Sequence, residues 1–195
     1  MQARRCDPPA LGLTLMRLDS SSADCVVRTC KEGLLSAIAH DLEIRVTSFT
    51  IDIDERRWRI EARFDARSLR VVGALRGGTV VPEELSDGDK RTIEENIVRD
   101  VLRADRYPEI RFVSDAAESR GDELVITGTL ALHGCERPLV VSARRDGERW
   151  TADVRIRQPD FGIRPYRAML GTLRIRPDVT VRVVVPGAVG SPEEG

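Results

Sequence analysis

Aromatic residues are scarce in this 195-residue chain, at 4%, so few bulky rings are available to plug the middle of a fold. Lysine is scarcer still: of 31 Lys and Arg residues only Lys31 and Lys90 are lysines, and with 32 acidic residues the formal net charge is -1. That balance excludes the broad positive field on which non-specific nucleic-acid binding depends, and the arginines are scattered among acids. Neither DNA nor RNA is expected as a partner. The four cysteines, Cys6, Cys25, Cys30 and Cys135, are too few and too irregularly spaced for a disulfide scaffold or a zinc cluster. Cys25 and Cys30 have opposite parity along an extended segment and point to opposite faces, so free thiols in a reducing compartment are expected. With only two histidines, a metal site would need His40, His133 and carboxylates or Cys135 to converge. No spacing demands it, and neither metal nor cofactor is expected. No window approaches the roughly 20 apolar residues of a membrane span. The run Leu11 to Met16, after Arg4 and Arg5, falls short of the about 7 to 15 residues of a secretory apolar core. We expect no signal peptide and a cytoplasmic protein, or a periplasmic or secreted one if the true start lies upstream.

What the sequence does have is alternation. Trp58, Ile60, Ala62, Phe64 and Ala66 interleave with Arg57, Arg59, Glu61, Arg63 and Asp65, one apolar face against one charged face. The pattern returns at Leu124, Ile126, Gly128, Leu130 and Leu132, at Val154 and Ile156, and at Val179, Val181, Val183 and Val185. Extended runs over 25 to 30, 42 to 53, 109 to 116 and 137 to 145 bring the expected number of strands to about eight. Turn signals such as Asp146-Gly147 separate them. A sheet of that size escapes its edge problem by closing, and eight strands enclose an interior that side chains can fill or that can hold one small ligand.

Two helical segments interrupt the strands. Over about 88 to 103, Ile93, Ile97, Val98, Val101 and Leu102 follow helical spacing, with Ser86 or Asp87 as cap and Tyr107-Pro108 as outer limit. A weaker segment spans about 31 to 39. Residues 1–23 read as a loosely ordered leader, 24–186 as one domain and 187–195 as a flexible tail. The Gly-rich stretch from Gly73 to Asp87 reads as a long loop suited to a lid or portal.

Four ordered stretches then resemble one family. They are Ser36-Ala37-Ile38-Ala39-His40-Asp41-Leu42 with Val46-Thr47-Ser48-Phe49 and the strand Thr50 to Asp54; Val101 to Phe112 around Tyr107-Pro108; Ile126 to Val140 around His133-Gly134; and Arg157-Gln158-Pro159-Asp160-Phe161-Gly162-Ile163 with Leu170-Gly171. Together they resemble the YceI-like family, also described as lipocalin-like and polyisoprenoid-binding. The resemblance implies a mainly β protein: a closed antiparallel barrel of about eight strands with one or two short helices, around a tunnel for an isoprenoid or other lipid-like chain. It also implies frequent dimers, making a homodimer plausible here. Many members are exported, which this sequence does not suggest.

On that basis the binding face is expected to be Ile51, Ile53, Trp58, Ile60, Phe64, Phe112, Ile126, Leu130, Leu132, Ile156 and Phe161, with a polar rim from His40, Arg157, Arg164 and Arg167. The partner is then an apolar small molecule, bound without turnover. Two other classes stay open. One is a hydrolase or metal-dependent enzyme using His40 or His133, with Cys135 as a nucleophile beside His133, although neighbours such as His40 and Asp41 point apart on a strand. A barrel filled by its own side chains would be an interaction module.

Overall fold

The computed structural model describes residues 15–32, 40–54, 57, 59–168 and 173–187. Among the described residues there are thirteen strands: β1 Leu15–Asp19, β2 Asp24–Glu32, β3 Asp41–Val46, β4 Phe49–Asp54, β5 Arg59–Asp65, β6 Leu69–Arg76, β7 Thr79–Val81, β8 Glu109–Arg120, β9 Glu123–Leu132, β10 Cys135–Asp146, β11 Arg149–Arg157, β12 Arg167–Ala168 and β13 Leu173–Pro186. The helix α1 Asp87–Asn96 runs on into a π turn over Ile97–Val101. All paired strands are antiparallel, and twelve follow one another in the order β1-β4-β5-β8-β9-β10-β11-β13-β2-β3-β6-β7, with β12 attached to β13.

The sheet is strongly curled, but it is not the closed eight-stranded barrel expected. Among the described residues the ladder ends at β1 on one side and β7 on the other, and these two do not pair with each other. The reason lies at Thr47–Ser48, where the expected 42–53 strand turns a corner. β3 goes to β6 and β4 goes to β5, so one long hairpin becomes two ladders. Thr47 N–H donates to the Ser68 carbonyl and Asp65 N–H to that of Ser48, both at 3.0 Å, fixing the bend in both chains. The curl still wraps an interior, since the inward residues of β3, β4 and β5 are buried on the same side as those of β9 and β11.

Other expectations shift locally. Residues 15–19, inside the stretch read as a leader, pair with β4, and Arg17 clamps Asp52 at 2.6 and 3.0 Å. The 73–87 stretch is no open loop. It is the β6–β7 hairpin, turned by Gly77 and Gly78 at φ 58° and 87°, followed by a 3-10 turn over Pro82–Glu84. Positive φ at both turn residues matches the right-handed strand twist and is what glycine supplies without strain. Ser86 caps α1 through a reciprocal box with Asp89, and the Glu94 carboxylate accepts the Val71 N–H at 2.8 Å, tying the helix to β6. Of the weaker helix expected over 31 to 39, residues 31 and 32 end β2; the remainder lies outside the described residues, as do Trp58, Leu170 and Gly171.

β10 pairs with β9 from Cys135 to Arg144, yet it pairs with β11 only from Ala143 to Asp146. Pro138, which has no N–H to give, sits in the part that, among the described residues, is paired on one side alone.

Candidate functional site

The curled sheet encloses a cavity of about 920 Å³. Strand alternation builds it: in β9, Leu124, Ile126, Leu130 and Leu132 point inward, and in β11, Trp150, Ala152, Val154 and Ile156 do the same. Gly128 occupies the inward register where a side chain has no room, because a Cβ there would press on the Val113 carbonyl and the Phe112 ring. α1 and its π turn contribute Ile93, Ile97 and Val101, so the helix supplies one wall.

The two ends differ. One is apolar, formed by Trp150 beside Val185 and by Leu124 beside Ala143, with Trp150 only 2% exposed. Cys25 is also there, and burial pushes its thiol up to about 12, leaving it neutral and poorly nucleophilic. The other end gathers the polar lining: Thr29 at the end of β2, His40 before β3, Glu84, Asp89, Thr92 and Asn96 around α1, Gln158 after β11, and Tyr166. His40 Nδ1 lies 3.3 Å from Glu84 Oε2. Arg76 Nε donates to Glu84 at 2.8 Å, and that hydrogen bond, helped by the charges of Arg76 and His40, holds the Glu84 carboxyl below its usual range. The Tyr166 hydroxyl accepts from Asn96 Nδ2 at 3.2 Å, joining helix to loop. The Thr29 hydroxyl oxygen is buried with no partner among the described residues.

Of the residues expected on the binding face, Ile51, Ile53, Ile60, Phe64, Phe112, Ile126, Leu130, Leu132 and Ile156 all line this cavity. Phe161 is buried outside it, in the 3-10 turn after β11, and Trp58 lies outside the described residues. The expected rim divides. His40 lines the polar end, whereas Arg157, Arg164 and Arg167 are exposed and away from the lining, Arg157 paired with Asp160 at 2.9 Å. Parity could have placed Arg157 correctly, since it follows inward Ile156. Of the other polar residues of this end, Asp89, Thr92 and Asn96 share the helical face of Ile93 and Ile97, a signal that the spacing carried, whereas Glu84, Gln158 and Tyr166 carry no periodic signal that marks them as neighbours.

The two histidines are in separate places. His40 and Asp41 part as expected, Asp41 accepting the Lys31 N–H at 2.7 Å. His133 is outside the lining; its Nδ1–H donates to the Phe161 carbonyl at 3.2 Å, rather than to its own turn. Among the described residues no group of three or more His, Cys, Asp and Glu is placed to hold a metal ion.

Residues 21–186 match the family model described as the YceI-like domain. Among curated proteins, a UPF0312 protein of Pseudomonas savastanoi is 43% identical over 51 residues, 26% of this chain and 27% of that protein. A UPF0312 protein of Pseudomonas putida W619 is 33% identical over 96 residues, 44% of this chain and 49% of its own length. The aligned parts thus span between about a quarter and a half of those relatives. Among solved structures, Burkholderia cenocepacia BcnA superposes with a TM-score of 0.60 at 15% identity, covering 86% of this chain and 98% of that one. A polyisoprenoid binding domain from Saccharophagus degradans gives 0.56 at 11%, covering 89% and 97%. At such identities they share the fold.

Proposed function

This chain belongs to the YceI-like domain family, and on that premise we propose that it binds an isoprenoid or other lipid-like apolar molecule inside the curled sheet, to hold or carry it without chemical turnover. The observation that carries this reading is the cavity itself. At about 920 Å³ it is near the upper end of small-molecule sites, and its walls are almost wholly aliphatic and aromatic. A sheet whose inward side chains met in the middle would leave no such space. The scarcity of large aromatic residues, 4% of the chain, is part of the reason it stays open.

An apolar chain entering such a space gains about 0.8 kcal/mol for each buried methylene. Few polar contacts are then needed for tight binding, and polar groups gathered at one end suit a molecule with a long tail and a small head. The Saccharophagus degradans neighbour, described as a polyisoprenoid binding domain, supports the choice of ligand class. His133 has less in its favour as a catalytic group, because it lies outside the cavity lining and is held by the Phe161 carbonyl.

Calorimetric titration with geranylgeraniol tests the proposal. One molecule bound per chain, with a negative heat-capacity change from buried apolar surface, is expected. Absence of binding would overturn it.

A further inference from the structure

We infer that the head of the bound molecule is uncharged, bearing hydroxyl, carbonyl or amide groups, and that a phosphorylated head is selected against. The inference rests on the reading that an apolar chain occupies the cavity, and adds what its polar end recognises. Although the chain has 31 Lys and Arg residues, among the described residues neither a Lys nor an Arg lines the cavity. The ionisable groups at the polar end are Glu84, Asp89 and His40.

The Arg76 charge beside Glu84 is already committed. Arg76 gives both its closest contacts, 2.8 and 3.0 Å, to Glu84. The first turn of α1, which would otherwise attract an anion, contains Asp89, whose carboxylate takes the Ser86 hydroxyl at 2.6 Å. A diphosphate arriving here would shed water and meet two carboxylates, with no Lys or Arg among the described lining residues to receive it, a costly exchange. An uncharged head only trades hydrogen bonds with water for hydrogen bonds with protein. The partners on offer suit it: the buried Thr29 hydroxyl, which lacks a partner among the described residues, and the Tyr166 hydroxyl and Gln158 amide.

Competition binding with two molecules that share one tail, geranylgeraniol and geranylgeranyl diphosphate, tests the inference. The alcohol is expected to bind at least about tenfold more tightly. Equal or tighter binding of the diphosphate would overturn the inference about the head while leaving the cavity reading intact; binding of neither would overturn both. Glu84→Gln separates charge from shape, because it releases Arg76 beside the polar end. That variant is expected to raise the affinity for the diphosphate relative to that for the alcohol by about fivefold or more. An unchanged ratio of the two affinities would contradict the electrostatic origin of the selectivity.

Discussion

The imidazole of His133 stacks against the ring of Tyr107, with centroids 4.5 Å apart and planes inclined at 51°. Around this contact, three of the sequence stretches that resemble the family come together. Tyr107 precedes the proline of the second, His133 and Gly134 form the turn of the third, and Phe161, whose carbonyl takes the His133 Nδ1–H, belongs to the fourth. His133 and Gly134 have φ of 53° and 75°, the left-handed pair of a tight hairpin, and a Cβ on Gly134 would lie 2.6 Å from the Tyr107 ring. Motif residues that looked like candidate chemistry therefore lock a corner of the sheet, beside the cavity and not in it.

His133→Ala removes the ring contact and the hydrogen bond together. A loss of about 2 kcal/mol is expected from chemical denaturation, with geranylgeraniol affinity within about threefold of the parent protein. A large loss of binding with unchanged stability would assign His133 to the ligand site.

Gly128 and Gly147 make a controlled pair. Alanine at Gly128 drives a Cβ into the Val113 carbonyl and to 2.8 Å from Ser114 Cα, backbone atoms at the bulge of β8 that cannot step aside. Alanine at Gly147, at φ 58° with open space around it, meets only the left-handed penalty. Thermal unfolding should show a cost above about 2 kcal/mol for the first and about 1 kcal/mol for the second; the reverse order would refute the packing described.

Glu61 on β5 pairs with Arg111 across the ladder to β8 at 2.8 Å and with Arg63 on its own strand. The hydrogen bond from Arg111, then that from Arg63, lowers the Glu61 carboxyl below its ordinary value. A carboxyl lowered in the folded state binds fewer protons there than in the unfolded chain. Its stabilisation is thus present above the unfolded value of about 4 and disappears as pH falls through the lower folded one. Stability measured against pH should flatten over that acid range in Glu61→Gln. An identical pH profile would show that the pair is silent.

Thiol reactivity separates Cys25 from Cys30. Cys25 is 1% exposed and its thiol is pushed up to about 12, whereas Cys30 is exposed. Alkylation at mildly alkaline pH, read by peptide mass, should modify Cys30 promptly and Cys25 only after denaturation. Early labelling of Cys25 would mean that solvent reaches the apolar end.

Much of this was legible because strand alternation assigns each side chain to a face. Ile60 and Phe64, or Ile126, Leu130 and Leu132, stand inward in the structure for the same reason that they alternate with polar residues in the sequence. Alternation does not report where a strand bends, so the corner at Thr47–Ser48 and the split into two ladders were hidden. β1 and β7 escaped notice because five and three residues of edge strand are too short to show a period. The polar end was the least legible, since His40, Glu84 and Tyr166 come from separate connections and Asn96 from the end of α1, which only the completed topology brings together. Arg164 and Arg167 were drawn in by nearness to the Asp-Phe-Gly segment, but the chain turns them outward.

The central claim, that the curled sheet holds an apolar molecule, is tested most directly by native mass spectrometry of gently purified protein, followed by organic extraction. A mass above that of the chain is expected, falling to the chain mass on extraction with release of a lipid-like compound. Protein that is found at its chain mass from the outset, and that takes up no isoprenoid on incubation, would contradict it.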